Sequence, residues 1–278
     1  PTGFGDNLGG DPCDPDEVGD PAAVKTGVEL AIPLSALGNP QGAIRIFTAI
    51  NGSGHDFLSN QMLGGLAAGT SNLGDPRNVN LKDFAGVQHV AFTPQTINAA
   101  PVIDGAVDAI YGAPLAVQIN GTGFGDSNLG DIGAANGSEV DGLYARVNAG
   151  VLYIAIAGNV ESNFNKLEIF FDTVAGGQNK LEGTNPDIDF NGLNRMGDDG
   201  SGNGLEFDTG FTADYYITFG GGGDPYALYP NFAEVKAGGA GYYLGAGGAG
   251  TDGTLSGGTN PDGIRLTINN SNTAGVPL

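Results

Sequence analysis

Gly150-Val-Leu-Tyr-Ile-Ala-Ile-Ala-Gly158 and Lys166-Leu-Glu-Ile-Phe-Phe-Asp172 are the densest β-branched and aromatic runs in the chain. Both are too short for a core helix or a membrane span, so they read as largely buried strands. The segment between them, Asn159-Val-Glu-Ser-Asn-Phe-Asn165, is polar and turn-rich. That pattern predicts an antiparallel hairpin with a long loop.

Outward from this pair, similar runs recur. Gly27-Val-Glu-Leu-Ala-Ile-Pro-Leu34 puts Val28, Leu30, Ile32 and Leu34 on one face, with Pro33 marking an end or an edge. Residues 43–50 and 87–92 follow as strands around a loop-rich stretch, 51–86. Beyond a linker from Pro94 to Pro101, strands are expected at 115–119, 143–147, 213–219, 232–235, 241–244 and 263–269. With 51 Gly and 15 Pro in 278 residues and no long helical periodicity, the expected class is all-β. The expected fold is an antiparallel, jelly-roll-like β-sandwich with long Gly/Asp-rich loops. Its expected divisions are an acidic arm or loop over 1–24, strands over 25–98, and the main part of the sandwich over 99–278.

Charge narrows the function. Asp and Glu number 31 against 10 Lys and Arg, a formal net charge of −21. Clustered Lys and Arg, which phosphate backbones and anionic lipid surfaces require, are missing, so no nucleic acid partner is expected. No stretch is long and apolar enough for a membrane-inserted helix. So acidic a surface repels itself unless cations neutralise it, and carboxylate and carbonyl oxygens suit calcium. Cys13 is the single cysteine, so no disulfide forms within the chain; a free thiol and an intermolecular bridge both remain open. The first residue is Pro1, with no Met and no signal-like apolar stretch, which points to a processed or excised piece. The composition suggests a secreted, extracellular or cell-surface protein.

The most specific local motif is Asp187-Ile-Asp-Phe-Asn-Gly192. Asp187, Asp189 and Asn191 stand at positions 1, 3 and 5 of a calcium-loop pattern, Gly192 at position 6 and Asp198 at position 12, with Leu193 offering its backbone carbonyl. Helices are not expected on its flanks, so it is not an EF-hand; an Asx/Gly turn is the competing reading. Asp126-Ser-Asn-Leu-Gly-Asp131 offers Asp126, Asn128 and Asp131 as a second candidate, while Asp199, Glu206 and Asp208 add ligands or an acidic rim. Thr122-Gly-Phe-Gly-Asp126 also repeats Thr2-Gly-Phe-Gly-Asp6. His55-Asp56 invites a Ser-His-Asp reading, but adjacent residues do not make a triad and no nucleophile elbow is present. With His55 and His89 the only histidines, no zinc site and no enzyme are expected.

Four stretches together resemble family-9 carbohydrate-binding modules and DOMON-like β-sandwiches of secreted bacterial surface proteins. They are Pro101-Val-Ile-Asp-Gly with Asp108 and Tyr111-Gly112, the two runs quoted at the outset, and Gly27 to Gly38. In such modules the segment like 28–38 comes near the end, whereas here it comes first. Two arrangements restore the order: a circular permutation within one chain, or strand complementation, in which residues 1–98 of one copy complete the 99–278 sandwich of its neighbour. The resemblance implies sugar binding on tryptophan faces, yet there are 0 Trp. Tyr215-Tyr216, Tyr226 with Tyr229, and Tyr242-Tyr243 are the available platforms, each pair expected to give one core ring and one outward ring. The expected function is an extracellular structural protein, a calcium-stabilised sandwich self-assembling with its own copies into a filament or surface layer. A carbohydrate-binding module of a secreted protein, with glycans as partners, is the alternative.

Overall fold

The computed structural model describes residues 19–276, and nearly all of its regular structure is β. In chain order the strands are β1 (Gly27–Pro33), β2 (Ile44–Asn51), β3 (Leu58–Leu63), β4 (Val90–Phe92), β5 (Ala116–Val117), β6 (Glu139–Asn148), β7 (Val151–Asn159) and β8 (Lys166–Asp172). They continue with β9 (Tyr215–Gly222), β10 (Ala227–Leu228), β11 (Asn231–Glu234), β12 (Gly241–Tyr243), β13 (Gly245–Gly248), β14 (Ser256–Gly257) and β15 (Arg265–Ile268). A single helical turn, α1 (Gly192–Arg195), interrupts them. One sheet runs β15-β1-β7-β6-β5. The other runs β14-β13-β10-β9-β8-β2-β3, with β11 on β9, β12 on β11, and β4 on β2. The molecule is an antiparallel β-sandwich. The acidic stretch before residue 19, with Cys13 and the first copy of the repeated motif, lies outside the described residues.

The two runs that define the fold are not hairpin partners. β7 pairs with β6 and β1, whereas β8 pairs with β2 and β9 in the opposite sheet, so residues 160–165 cross the sandwich. The reason lies in the two parities of each run: both have one wholly apolar row, while the other row is mostly apolar in β7 (Tyr153, Ala155, Ala157) and mixed in β8 (Lys166, Glu168, Phe170, Asp172). Side chains alternate between faces, so Leu152, Ile154 and Ile156 of β7 share the central core with Leu167, Ile169 and Phe171 of β8. Each such side chain contributes about 1.5–3 kcal/mol when fully buried. A hairpin would place both rows in one sheet and leave the facing sheet to be filled by weaker strands.

The other parity of each run meets its own cover. Tyr153, Ala155 and Ala157 of β7 pack with Val24, Ile103, Tyr111 and Tyr144. Phe170 of β8 packs with Phe47 and Tyr216 beneath Leu181, Leu193, Met196, Leu205, Phe207 and Phe211. Residues 173–214 are therefore a folded layer over the second sheet and not a free loop. The loop-rich stretch 51–86 likewise holds β3 and two 3-10 turns, Pro76–Asn78 and Leu81–Asp83. Asp75 and Asn80 start these turns by accepting from the amides two residues on.

Strands from the first hundred residues sit inside both sheets. β1 lies between β7 and β15, and β2 between β8 and β3. Val28, Leu30 and Ile32 enter the central core, and Pro33 ends the strand. On the opposite face Glu29 is fully buried, accepting from Tyr111 Oη at 2.8 Å and from the amides of Asp104 and Gly105 at 2.9 and 3.1 Å. Burial pushes its carboxyl up to about 7 against these hydrogen bonds. This residue fastens the 101–112 segment to the sheet.

Candidate functional site

Charged residues on the outer face of a buried strand need partners, and β8 supplies three of them: Asp172, paired with Arg45 at 3.2 Å, and Lys166 and Glu168. The chain answers Lys166 and Glu168 with one partner before the strand and one after. Glu168 is fully buried and accepts from His55 Nδ1 at 2.8 Å, Asn51 Nδ2 at 3.1 Å and Tyr216 Oη at 2.5 Å. Asp189 accepts from Lys166 Nζ at 2.7 Å and faces His55 Nε2 at 3.1 Å. Two carboxylates and two bases thus form one continuous chain, Glu168–His55–Asp189–Lys166.

Burial alone would lower the imidazole pKa, but the charges and hydrogen bonds of Glu168 and Asp189 outweigh it and raise it to about 9. Burial likewise works against ionising Glu168 and Asp189. His55 holds the first below the usual carboxylate range, and His55 with Lys166 does the same for the second. His55 is sealed from above by α1. A Cβ on Gly192 would lie 2.3 Å from the imidazole Cδ2 and Nε2, so only glycine lets the helical turn sit there. With 2% exposure, His55 is not open to a substrate, and its raised pKa favours the protonated ring.

The same network holds up an aromatic cleft. Phe164, Lys166, Asp189, Phe190, Tyr229, Asn231 and Tyr243 line a volume of about 490 Å³ at the end of the second sheet. Phe190 is 90% exposed. It sits in a run of three left-handed residues, Asp189, Phe190 and Asn191, with φ of 45°, 55° and 65°. Buried pairing of Asp189 on one side and the Asn191 carbonyl, accepting from the Arg195 amide at 3.1 Å, on the other fix that backbone. Phe164, also left-handed, packs against Tyr229 with ring centroids 5.9 Å apart. Asn231 stands opposite Tyr243 in the β11–β12 register. Tyr229 and Tyr243 are the outward members of their pairs: Tyr226 bonds Val160 O and, with Tyr242, packs on the central core. The floor carries an ion pair and an amide; the walls are four rings.

The predicted calcium-loop residues are used differently. Asp189 turns inward onto two bases, so its carboxylate is not offered to a metal ion. Asn191 Oδ1 accepts from Asn194 Nδ2 at 2.7 Å, Leu193 is buried in the core beneath, and Asp198 accepts from the amides of Gly200 and Gly202. Asp187 is exposed. In the second candidate, Asn128 exchanges hydrogen bonds with Asn136 and Asp131 closes a turn on Gly133. Asp126 lies near enough to Glu139 and Asp141 to act on both carboxyls. Lys82 and Lys180 pair with Glu206, and Arg77 pairs with Asp199. Among the described residues no three His, Cys, Asp or Glu side chains are gathered into a metal centre.

Phe164, Lys166, Glu168, Phe190 and Asn231 were not singled out by sequence reasoning. Their signal is there in part: Lys166 and Glu168 break an otherwise apolar buried run, and a Phe stands inside a polar Asp/Asn/Gly turn.

Compared with known proteins, the chain matches no family model, no curated protein and no solved structure at a significant level.

Proposed function

We propose that this chain is a non-catalytic, extracellular β-sandwich whose aromatic cleft binds a glycan. The observation that carries this reading is Phe190, almost wholly exposed yet held on a backbone locked by buried ion pairs. A preorganised exposed ring loses little entropy on binding. Sugar rings present C–H faces that stack on such aromatics, while their hydroxyls need polar partners, here Lys166, Asp189 and Asn231. His55, 2% exposed, is closed to a ligand in the cleft.

The test is affinity electrophoresis and titration calorimetry of the full chain against a panel of soluble polysaccharides. At least one polysaccharide is expected to bind saturably. Phe190→Ala should weaken it about tenfold or more, a loss of about 1.4 kcal/mol. Val102→Ala, an exposed change on the segment covering the other sheet, should not. Unchanged affinity in Phe190→Ala, or no binding across the panel, would count against the reading.

The positions of β1 and β2 favour a second reading, in which the chain is a subunit of a filament or surface layer. Both strands are central in their sheets yet are joined to the rest through the exposed stretch around residues 93–101. Exchange of that segment between copies would reproduce the same contacts in a neighbour. Light scattering and negative-stain microscopy of concentrated protein without sugar test it: ordered polymers support exchange, and monomers throughout argue against it.

A further inference from the structure

Where β6 begins, two acids are buried side by side. Glu139 and Asp141 are 1% and 0% exposed. Asp141 is the extra residue of a β-bulge, because Val140 pairs with Gly158 and Gly142 with Ala157, and bulges re-aim side chains. The segment after β15 closes over them. Asn272 Nδ2 donates to Glu139 Oε1 at 2.9 Å, and the Val276 amide donates to Asp141 Oδ1 at 3.1 Å. Gly275 makes this approach feasible, since a Cβ there would lie 2.6 Å from Asp141 Oδ1, 2.8 Å from Glu139 Oε1 and 2.9 Å from Asp141 Oδ2. The two carboxylates therefore face one small volume.

That volume is short of positive charge. Among the described residues, no Lys, Arg or His forms an ion pair with either acid. Glu139 Oε2 and Asp141 Oδ2 are buried without a hydrogen-bond partner. An independent neutral group shares the deficit. Asn159, 1% exposed and opposite Glu139 in register, donates to Glu139 Oε1 at 3.1 Å but leaves its own Oδ1 buried and unpartnered. Unmet acceptors in one dry place call for a donor or a cation. Burial, with repulsion from Asp126 on both groups, holds both carboxyls well above the usual range. A hard divalent cation satisfies carboxylate and amide oxygens together. Calcium accepts such mixed, irregular oxygen sets, completed by backbone carbonyls or water, more readily than magnesium.

We propose that Glu139, Asp141 and Asn159 Oδ1, with the charge of Asp126 beside them, bind a calcium ion that pins residues 270–276 to the start of β6. The site is separate from the 187–198 loop and from the aromatic cleft.

The experiment is calorimetric titration of the full chain with calcium and with magnesium, alongside thermal unfolding in calcium and in chelator. Calcium is expected to bind and raise the unfolding temperature, with magnesium at least tenfold weaker. In the Glu139→Gln/Asp141→Asn double variant, calcium affinity should fall at least tenfold while the protein still folds in chelator, because the amides remove buried charge. Asp187→Asn/Asp198→Asn should keep the wild-type response. No calcium binding by the wild-type chain, an unchanged response in the double variant, or a response lost only in Asp187→Asn/Asp198→Asn would overturn the proposal.

Discussion

Glu168→Ala should cost about 3–5 kcal/mol of folding stability, read from chemical denaturation at pH 7. Removing one partner of a buried ion pair leaves an uncompensated charge, and that is the costly case. Here the orphan is His55, with Tyr216 and Asn51 also losing their acceptor. A loss under about 1 kcal/mol would mean that the interior admits water and that the network is not a support for the cleft. The same network sets a pH dependence. His55 is raised from 6.5 to about 9, so its stabilisation is complete below pH 6.5 and is lost as pH rises through 9, on the order of 3 kcal/mol. Glu29, raised from 4.5 to about 7, acts in the same direction at lower pH: its contribution is complete below 4.5 and is lost as pH rises through 7. Glu168 and Asp189, held low, oppose this only below their ordinary values of 4.5 and 3.8, where protonation removes their pairing. Heat stability in chelator should accordingly peak in mild acid and decline toward pH 9. A rise over that range would contradict the protonated histidine.

Phe207→Ala is the second large effect, about 3–5 kcal/mol, the usual cost of truncating a buried aromatic. Phe207 is 1% exposed. Its ring centre lies 5.3 Å from Phe47, 5.0 Å from Phe170 and 5.0 Å from Phe211, joining the 173–214 layer to the sheet beneath. Because Phe190 and α1 ride on that layer, glycan affinity should fall together with stability, although Phe207 is not among the cleft-lining residues. Denaturation and polysaccharide titration on the same sample check both. Lost stability with unaltered affinity would show that the cleft is supported from elsewhere.

The alternation of Val28, Leu30 and Ile32, and the density of residues 150–158 and 166–172, were enough to read an all-β sandwich. What the pattern left ambiguous was pairing. Two runs that each carry one wholly apolar row fit a hairpin or two opposed sheets equally well, and only covers at both outer faces decide between them. Those covers, residues 101–112 and 173–214, look like loops because their apolar residues follow no strand period. The site was less legible for a related reason. Asp189 and Gly192 belong to a motif whose spacing fits calcium, but the spacing cannot report that Lys166 and His55, distant in sequence, claim the carboxylate and the space above it. Strand alternation gave one outward ring per Tyr pair without naming it: Tyr243 is such a ring, whereas Tyr215 and Tyr216 both pack on cores. Phe190 was not identifiable, since an aromatic side chain in a turn is ordinarily expected to fold inward.

The central claim is that the rings around the ion-paired floor contact a sugar. The direct measurement is heteronuclear NMR of protein labelled on Phe and Tyr rings, titrated with an oligosaccharide of the tightest-binding polysaccharide and assigned with Phe164→Leu, Phe190→Ala and Tyr243→Phe. The predicted result is saturable shifts at Phe164, Phe190, Tyr229 and Tyr243, with the buried rings of Phe170 and Phe207 unmoved. Saturation with those four rings unshifted, or shifts confined to another surface, would contradict it.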